Sequence, residues 1–266
     1  MKKETVVLIT GCSSGIGKNL CNILHAKGYK VIATARKVES IQDLNASLKL
    51  ELDVTKKESI KKAVDETVSR YQKIDILINN AGYSVRGALE EVTISDVRAM
   101  YDVNVFGIIH MIQAVVPTMR DQRYGKIINI GSISGRFAQA INGGYCSSKF
   151  AVEALSEAAR LELYQYNIQS TVIEPGPIKT NFFNILAKNS DHLMSNADSP
   201  YTSFYKSDGG QRSSQKKTEV EAAVREIANI IEKRRLNARY KVAVPMKLRL
   251  VVMLPHTIRE RILRNY

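Results

Sequence analysis

The sequence predicts an α/β protein built on a doubly wound parallel sheet, and three observations support this prediction. Short apolar runs of strand length recur along the chain, and they are apolar throughout instead of alternating with polar residues. Longer stretches with helical spacing of apolar residues, such as Ile16, Leu20 and Ile23, separate these runs. The chain has 266 residues, 44% of them hydrophobic, and can therefore bury one large core. Strands that alternate with helices and are buried on both faces indicate three layers, α/β/α.

Seven segments are predicted as strands, and no internal repeat or Pro/Gly linker divides the chain between them. Residues 1–244 are therefore predicted as a single domain, followed by a helical extension. The strand segments are TVVLIT (5–10), KVIATA (30–35), LKLEL (48–52), IDILIN (74–79), GKIINIG (125–131), IQSTVIE (168–174) and RYKVAV (239–244).

The first strand runs directly into TGCSSGIG (10–17), which opens the first helix. Glycines at such a turn let the backbone approach a pyrophosphate, which the helix N-terminus holds with its free N–H groups and its dipole. The spacing of Gly11, Gly15 and Gly17 differs from G-x-G-x-x-G. A tight turn that only closes a βα unit is the alternative interpretation.

The second strand ends in TARK, which bears on the type of dinucleotide. Sites selective for NAD usually place an acidic residue here, to accept hydrogen bonds from the ribose 2′-OH. This chain has Arg36 and Lys37 instead, and an arginine holds a 2′-phosphate through charge-assisted bonds. We predict NADP(H) as the preferred cofactor and NAD(H) as the alternative. A solvated loop arginine is the simpler interpretation.

Seven motifs follow one another along the chain and together are specific. In this order they resemble the short-chain dehydrogenase/reductase family, closely over residues 5–182. LITGCSSGIG, VIATAR and the extended C-terminus are most similar to its hydroxysteroid and retinol dehydrogenase-like branch. The resemblance implies a Rossmann-type fold. The motifs are TGCSSGIG, LDVT (52–55), NNAG (79–82), VNVFG (103–107), GSISG (131–135), YCSSK (145–149) and PGPIKT (175–180).

The resemblance also implies which residues bind the dinucleotide. They come from the glycine turn, the end of the second strand and the motifs LDVT, NNAG, YCSSK and PGPIKT. The implied cofactor-binding residues are Gly11, Ser13, Ser14, Gly15, Ile16, Gly17, Arg36, Lys37, Asp53, Val54, Asn80, Ala81, Gly82, Tyr145, Lys149, Pro175, Gly176, Ile178 and Thr180.

Four catalytic residues are implied by the same resemblance: Asn104, Ser132, Tyr145 and Lys149. Tyr145 and Lys149 are four residues apart, so both side chains can reach one cleft from a helix. A free tyrosine has a pKa of about 10, and we expect the Lys149 ammonium to lower it. By resemblance Tyr145 exchanges a proton with the substrate oxygen and Lys149 also holds the nicotinamide ribose. Ser132 hydrogen-bonds the substrate oxygen, and Asn104 positions a water that links Lys149 to solvent.

Composition bears on location and on metals. Three cysteines form no pairing pattern, which fits a reducing cytosol and argues against a structural zinc, so we predict no metal site. The apolar run near the N-terminus is too short for a secretory signal. No run approaches the roughly 20 apolar residues of a membrane span. We therefore expect a cytoplasmic protein that is not transmembrane.

Two segments fall outside the strand and helix pattern. Residues 181–217 are predicted as a lid, whose stretch 189–217 is polar and shows no clean periodicity. The apolar residues of this lid either cover a hydrophobic substrate or pack the lid onto the domain.

Residues 245–266 are predicted as a basic amphipathic extension. From residue 231 onward ten basic residues stand against two acidic ones, which gives +8 of the total +13. Such a segment can lie in an anionic membrane interface. We favour the alternative, a helix that packs on its own domain or on a partner subunit with its arginines outward.

These features predict an NADP(H)-dependent oxidoreductase that interconverts a carbonyl and an alcohol on a steroid-, retinoid- or lipid-like small molecule. The first alternative is a 3-oxoacyl-carrier-protein reductase, and the second is a non-catalytic dinucleotide-binding regulator. The resemblance implies a homodimer or homotetramer paired through helices near 95–120 and 145–166. Nucleic-acid binding through the basic tail is not favoured, since no helix-turn-helix, zinc or RNA-binding signature accompanies it.

Overall fold

The computed structural model describes residues 4–206 and 217–264 and contains the predicted doubly wound sheet. Seven parallel strands form it in the order β3-β2-β1-β4-β5-β6-β9, and β7 pairs with β8 in a separate two-stranded sheet. The strands are β1 (Val6–Ile9), β2 (Lys30–Ala35), β3 (Leu48–Glu51), β4 (Ile76–Asn79), β5 (Gly125–Ile130), β6 (Ile168–Pro175), β7 (Ile178–Lys179), β8 (Thr218–Glu219) and β9 (Arg239–Val242).

Helices cover both faces of the sheet. A π-helical turn, Asp102–Phe106, joins two of them into one continuous stretch. The helices are α1 (Gly15–Ala26), α2 (Lys57–Tyr71), α3 (Ile94–Tyr101), α4 (Gly107–Asp121), α5 (Gly143–Leu163), α6 (Phe182–Met194), α7 (Val220–Ile231), α8 (Met246–Met253) and α9 (His256–Arg264).

Strand β1 shows why the strand sequences are apolar throughout. Its side chains alternate between the two faces of the sheet. Val7 and Ile9 belong to the core cluster that includes the buried residues of α1 and α7. Val6 and Leu8 belong to the opposite cluster, with the buried residues of α2, α4 and α5. Because each face of the sheet carries a helical layer, every residue of the strand is buried.

The continuous stretch Ile94–Asp121 is long and apolar enough to cross a membrane, judged by length and composition alone. The sequence expectation considered uninterrupted apolar runs and did not identify it. Met111, Val115 and Met119 of this stretch are fully buried in the core that includes β1 and β5 residues. The stretch is therefore a core helix of the α/β/α layers.

The lid differs in part from the prediction. The stretch 189–217 was expected to lack regular structure, but α6 continues to Met194. Leu186, Ser190 and Leu193 are its buried residues and lie at helical spacing, so the polar residues of this segment occupy the outer face. Residues 207–216 of the predicted lid lie outside the described residues.

The C-terminal extension forms α8 and α9 and is attached to its own domain. Arg249 Nε donates to the Val244 carbonyl at 3.0 Å. Arg259 Nη1 donates to the Arg136 carbonyl, in the loop after β5, at 3.1 Å. The apolar contact is made by Leu248, Val252 and Leu263 against Ile133, Phe137 and Val244.

Candidate active site

The sequence-predicted residues come together at the carboxyl edge of the parallel sheet. The glycine turn follows β1, Arg36 follows β2, Asn80 follows β4 and Ser132 follows β5. The strand order reverses between β1 and β4, and crevices at such switch points are where open α/β sheets bind ligands. The topology therefore assembles segments that are far apart in sequence into one crevice.

The glycine turn requires its glycines because other backbone approaches it closely. Gly11 has a positive φ of 72°, and a Cβ there would lie 2.9 Å from Ala81 Cα. A Cβ on Gly17 would lie 2.4 Å from both Asn80 Nδ2 and the Gly11 carbonyl oxygen. Ser14 is the N-cap residue of α1. The turn thus brings the N-terminus of α1 to the switch point, where a helix end favours a phosphate.

Asn80 and Ala81 are held against the glycine turn by a hydrogen-bond network. Thr10 Oγ1 accepts from the backbone N–H groups of Asn80 and Ala81, each at 3.0 Å. Asn80 Nδ2 donates to the carbonyls of Thr10 at 2.9 Å and Gly11 at 3.0 Å. The NNAG segment, including Gly82, therefore forms the floor of the crevice next to the turn.

Arg36 and Asp53, both predicted to bind the cofactor, follow β2 and β3 at the carboxyl edge of the sheet. Arg36 and Lys37 are exposed directly after β2. Burial raises the pKa of Tyr83, and the charge of Arg36 opposes this rise. Asp53 Oδ1 accepts from the Thr55 N–H at 3.0 Å, which fixes the carboxylate at the end of β3, next to the buried Val54.

The PGPIKT segment closes the crevice on the side of β6. Gly176 N–H donates to the Val242 carbonyl at 2.9 Å, and a Cβ on Gly176 would lie 2.3 Å from the Ala243 carbonyl oxygen. Thr180 approaches the glycine turn, since its Cβ would lie 3.4 Å from a Cβ on Gly15. Pro175 ends β6 and Ile178 starts β7, so the whole segment is fixed by strand pairing.

Ser132 lies beside Tyr145, and their side chains form a hydrogen bond. Ser134 N–H donates to Ser132 Oγ at 3.1 Å, so the serine hydroxyl hydrogen is not used by this bond. Burial raises the pKa of Tyr145 to about 12, while the Ser132 hydrogen bond and the charge of Arg86 oppose this rise. The expected lowering of this pKa by the Lys149 ammonium is therefore wrong. At neutral pH the phenol carries its proton.

Lys149 points from α5 toward the end of β5. Its Nζ donates to the Ile130 carbonyl at 2.9 Å and lies 5.7 Å from the centre of the Tyr145 ring. Burial lowers the pKa of Lys149 to about 8, and the charge of Glu153 opposes this effect. The Lys149 amine is thus mostly protonated at neutral pH. Its pKa is close enough to neutrality for the amine to lose this proton in mildly alkaline solution.

Asn104 lies in the π-helical turn and is fully buried. Its Oδ1 accepts from the Tyr83 N–H at 2.8 Å. Its Nδ2 donates to the Tyr83 carbonyl at 2.8 Å and to Ser148 Oγ at 3.0 Å. Asn104 therefore joins the NNAG loop to α5, and a π turn at this position matches the occurrence of such turns at functional sites. Its predicted role toward a water stays a prediction.

An acidic cluster beside Lys149 was missed from the sequence. Glu153 lies one turn further along α5 and is 8% exposed, and Glu174 on β6 is fully buried. Arg239 Nε lies 3.6 Å from Glu153 Oε2 and 3.9 Å from Glu174 Oε1. Arg136 Nη1 lies 4.0 Å from Glu153 Oε2. Burial, together with the charge of Glu174, raises the pKa of Glu153 to about 7.

Arg86 was also missed, because an arginine in a loop is usually solvated. It is 7% exposed, and its backbone N–H donates to Ser190 Oγ of α6 at 2.8 Å. Its charge reaches both Tyr145 and Cys146. Cys146, next to Tyr145 in the sequence, is buried, and burial raises the pKa of its thiol.

The residues present fit a dinucleotide. The glycine turn, Arg36, Asp53, the NNAG floor and the PGPIKT segment surround one crevice, and Tyr145 and Ser132 lie at its β5 end. Tyr145 packs against an apolar cluster, and the charge of the buried Arg86 also reaches it. The cluster contains Tyr83, Val85, Val92, Val97, Met100 and Leu193, and the Phe182 ring lies 6.1 Å from that of Tyr145.

Comparisons with known proteins agree with this geometry. The chain is 41% identical over 177 residues to a 3-ketodihydrosphingosine reductase of Bacteroides thetaiotaomicron, covering 66% of this chain and 65% of that protein. It is 36% identical over 189 residues to human retinol dehydrogenase 8, covering 66% of this chain and 60% of that protein. The matched segments thus span just under two thirds of these relatives.

A solved structure extends the similarity along the chain. A short chain dehydrogenase of Burkholderia cenocepacia, in complex with NADP, superimposes with a TM-score of 0.77 at 26% identity, covering 99% of each chain. The family model described as short chain dehydrogenase matches residues 5–191. Since that match includes the glycine turn, Ser132, Tyr145 and Lys149, the protein belongs to the short-chain dehydrogenase/reductase family.

Proposed function

We propose that the protein is an NADP(H)-dependent oxidoreductase that reduces the carbonyl of a hydrophobic small molecule to an alcohol. The observation that carries this proposal is the contact between Ser132 and a half-buried, protonated Tyr145 at the carboxyl edge of the sheet. A protein that only bound a dinucleotide would not require an acid at this place. The non-catalytic regulator is therefore the weaker hypothesis.

Tyr145 is suited to act as the proton donor. With a pKa of about 12, the phenol holds its proton at neutral pH and can transfer it to a carbonyl oxygen as that oxygen becomes an alkoxide. The nicotinamide cofactor, when bound, supplies the hydride. The Ser132 hydroxyl can donate a hydrogen bond to the same oxygen and stabilise its developing charge. Tyr145 is therefore in the protonation state that reduction of a carbonyl requires.

Lys149 is placed to return a proton to Tyr145 after each transfer. Its ammonium lies near the Tyr145 ring, and a cation there stabilises the phenolate left after proton transfer. Lys149 can then supply a proton toward the tyrosine, provided it is itself protonated. With a pKa of about 8, this condition holds at neutral pH and fails as the medium becomes alkaline.

Arg36 supports the choice of NADP(H) over NAD(H). It is exposed at the carboxyl end of β2, where a carboxylate would otherwise accept from the ribose 2′-OH. Because this guanidinium is exposed and positively charged, it could hold a 2′-phosphate through charge-assisted hydrogen bonds. Lys37 adds a second positive charge at the same strand end.

The apolar surroundings of Tyr145 support a lipid-like substrate. Met100, Val85 and Leu193 are buried next to it, and Phe182 contacts its ring. The 3-ketodihydrosphingosine reductase and the retinol dehydrogenase among its relatives are named for substrates with long apolar chains. A 3-oxoacyl-carrier-protein reductase remains the second candidate, supported by the net charge of +13, which suits an acidic carrier.

We also propose a homodimer in the cytoplasm, paired through α4 and α5. Phe106, at the start of α4, and Phe150, Leu161 and Tyr164, along and after α5, are large exposed apolar residues. Several large apolar side chains exposed on two neighbouring helices are what a contact surface would present. Sedimentation velocity on the wild type and on Leu161→Glu would test the pairing.

The proposed activity is tested by following oxidation of NADPH with a panel of ketones, aldehydes and 3-oxoacyl thioesters. We expect turnover with long-chain ketones or aldehydes and little with short polar ones. Turnover only with a carrier-protein thioester would support the second candidate. Binding of NADPH without turnover on any compound would support the regulator instead.

A further inference from the structure

The C-terminal extension keeps one face uncovered. Met246, Leu250 and Met253 lie at positions i, i+4 and i+7 of α8, which places them on one side of the helix. They are 68%, 58% and 76% exposed, respectively. Ile258 of α9 is also exposed. The opposite side of the extension packs on the domain through Leu248, Val252 and Leu263. The extension is therefore docked on the domain, and its exposed apolar residues are not the ones that attach it.

Basic residues outnumber acidic ones in the extension, although the exposed Glu260 lies beside Ile258 and Arg261. Within residues 245–266 the sequence has five basic residues and a single acidic one, Glu260. Lys247 and Arg261 are exposed, one on each helix. Arg249 and Arg259 use part of their hydrogen-bonding capacity on backbone carbonyls of the domain, which fixes α8 and α9 in place. Apolar and basic side chains are thus presented together on a firmly attached segment.

The extension also lies beside the lid. A groove of about 370 Å³ is lined by His256 and Leu263 of α9, by Ala140 and by Phe204. Ala140 belongs to the loop that precedes α5 and hence Tyr145, and Phe204 belongs to the segment after α6. Helix α9 of the extension therefore borders the segment that follows α6.

We propose that the face formed by Met246, Leu250, Met253 and Ile258, with Lys247 and Arg261, docks on the surface of an anionic lipid bilayer. Apolar side chains at helical spacing enter the headgroup boundary, and the basic residues pair with anionic headgroups. A second copy of the chain fits less well. A twofold contact places the same patch opposite itself, and the basic residues of both copies would then face one another.

This docking does not depend on the proposed catalysis, so it is tested by binding alone. The full chain is mixed with vesicles of pure phosphatidylcholine or of phosphatidylcholine with phosphatidylglycerol, and the bound fraction is measured by sedimentation. We expect binding only to the anionic vesicles and loss of binding at high salt, because exposed charges are screened. The combined variant Met246→Ser, Leu250→Ser and Met253→Ser should bind the anionic vesicles at least tenfold more weakly.

Two controls keep the result specific. Leu89→Ser alters an equally exposed leucine of the loop after β4 and should bind as the wild type does. Circular dichroism and the thermal midpoint establish that each variant is folded. Equal vesicle binding by the wild type and the combined variant would overturn the proposal. The proposal would also be overturned if, without vesicles, the wild type were a dimer and the combined variant a monomer. In that case the face would bind a second copy of the chain.

Discussion

Replacing Glu153 with Gln should stabilise the protein at neutral and alkaline pH. Burial, together with the charge of Glu174, raises the pKa of Glu153 from 4.5 to about 7. A carboxyl with a raised folded-state pKa binds its proton more tightly in the folded state. Its destabilising effect is therefore absent below about pH 4.5 and complete above about pH 7. This rise in the pKa of Glu153 corresponds to a loss of about 3 kcal/mol in the free energy of unfolding at alkaline pH.

The assay is urea unfolding of the wild type and of Glu153→Gln at two pH values. At about pH 4 the two proteins should have similar free energies of unfolding, and at about pH 8 the variant should be more stable by up to about 3 kcal/mol. Glu157→Gln is the matched control, since Glu157 contacts the same Arg239 but is 63% exposed. It should change stability by less than about 0.5 kcal/mol. A Glu153→Gln protein that is no more stable at the higher pH would refute the reasoning.

Two further predictions concern activity and cofactor choice. Glu153→Gln should move the alkaline limb of the kcat/KM profile to lower pH, because the charge of Glu153 raises the Lys149 pKa. If this limb did not move, turnover would not depend on the ionisation of Lys149. Arg36→Ala should weaken NADPH binding roughly 10- to 100-fold, the loss of charge-assisted bonds worth about 1.5–3 kcal/mol, and leave NADH nearly unchanged. Fluorescence titration measures both affinities, and equal losses would exclude a role in binding the 2′-phosphate.

Much of the site was predictable because its residues lie in short local motifs. The glycine turn has to be glycine where Ala81 and Asn80 approach, and that requirement leaves a signature in a few consecutive residues. Tyr145 and Lys149 are neighbours on one helix, so their spacing carries the information. The strands were predicted because both faces of the sheet are buried, which makes each segment apolar throughout.

The remaining features depend on contacts between distant segments. Glu153, Glu174 and Arg239 lie on α5, β6 and β9, and only the sheet order brings them together behind Lys149. The pKa of Tyr145 was expected to fall because the sequence shows the neighbouring lysine but not the burial that outweighs it. The full length of α6 was not predicted because one of its buried residues is Ser190. A search for apolar residues at helical spacing does not count a serine.

The central claim is that Tyr145 donates the proton in an NADPH-dependent reduction. The most direct test compares wild type and Tyr145→Phe for the loss of reduced-nicotinamide absorbance with a long-chain ketone, with NADPH affinity measured in parallel by fluorescence. We expect turnover to fall by roughly 10²- to 10⁴-fold while NADPH affinity stays nearly unchanged, since only the exchangeable proton is removed. A variant that keeps most of its turnover would contradict the assignment.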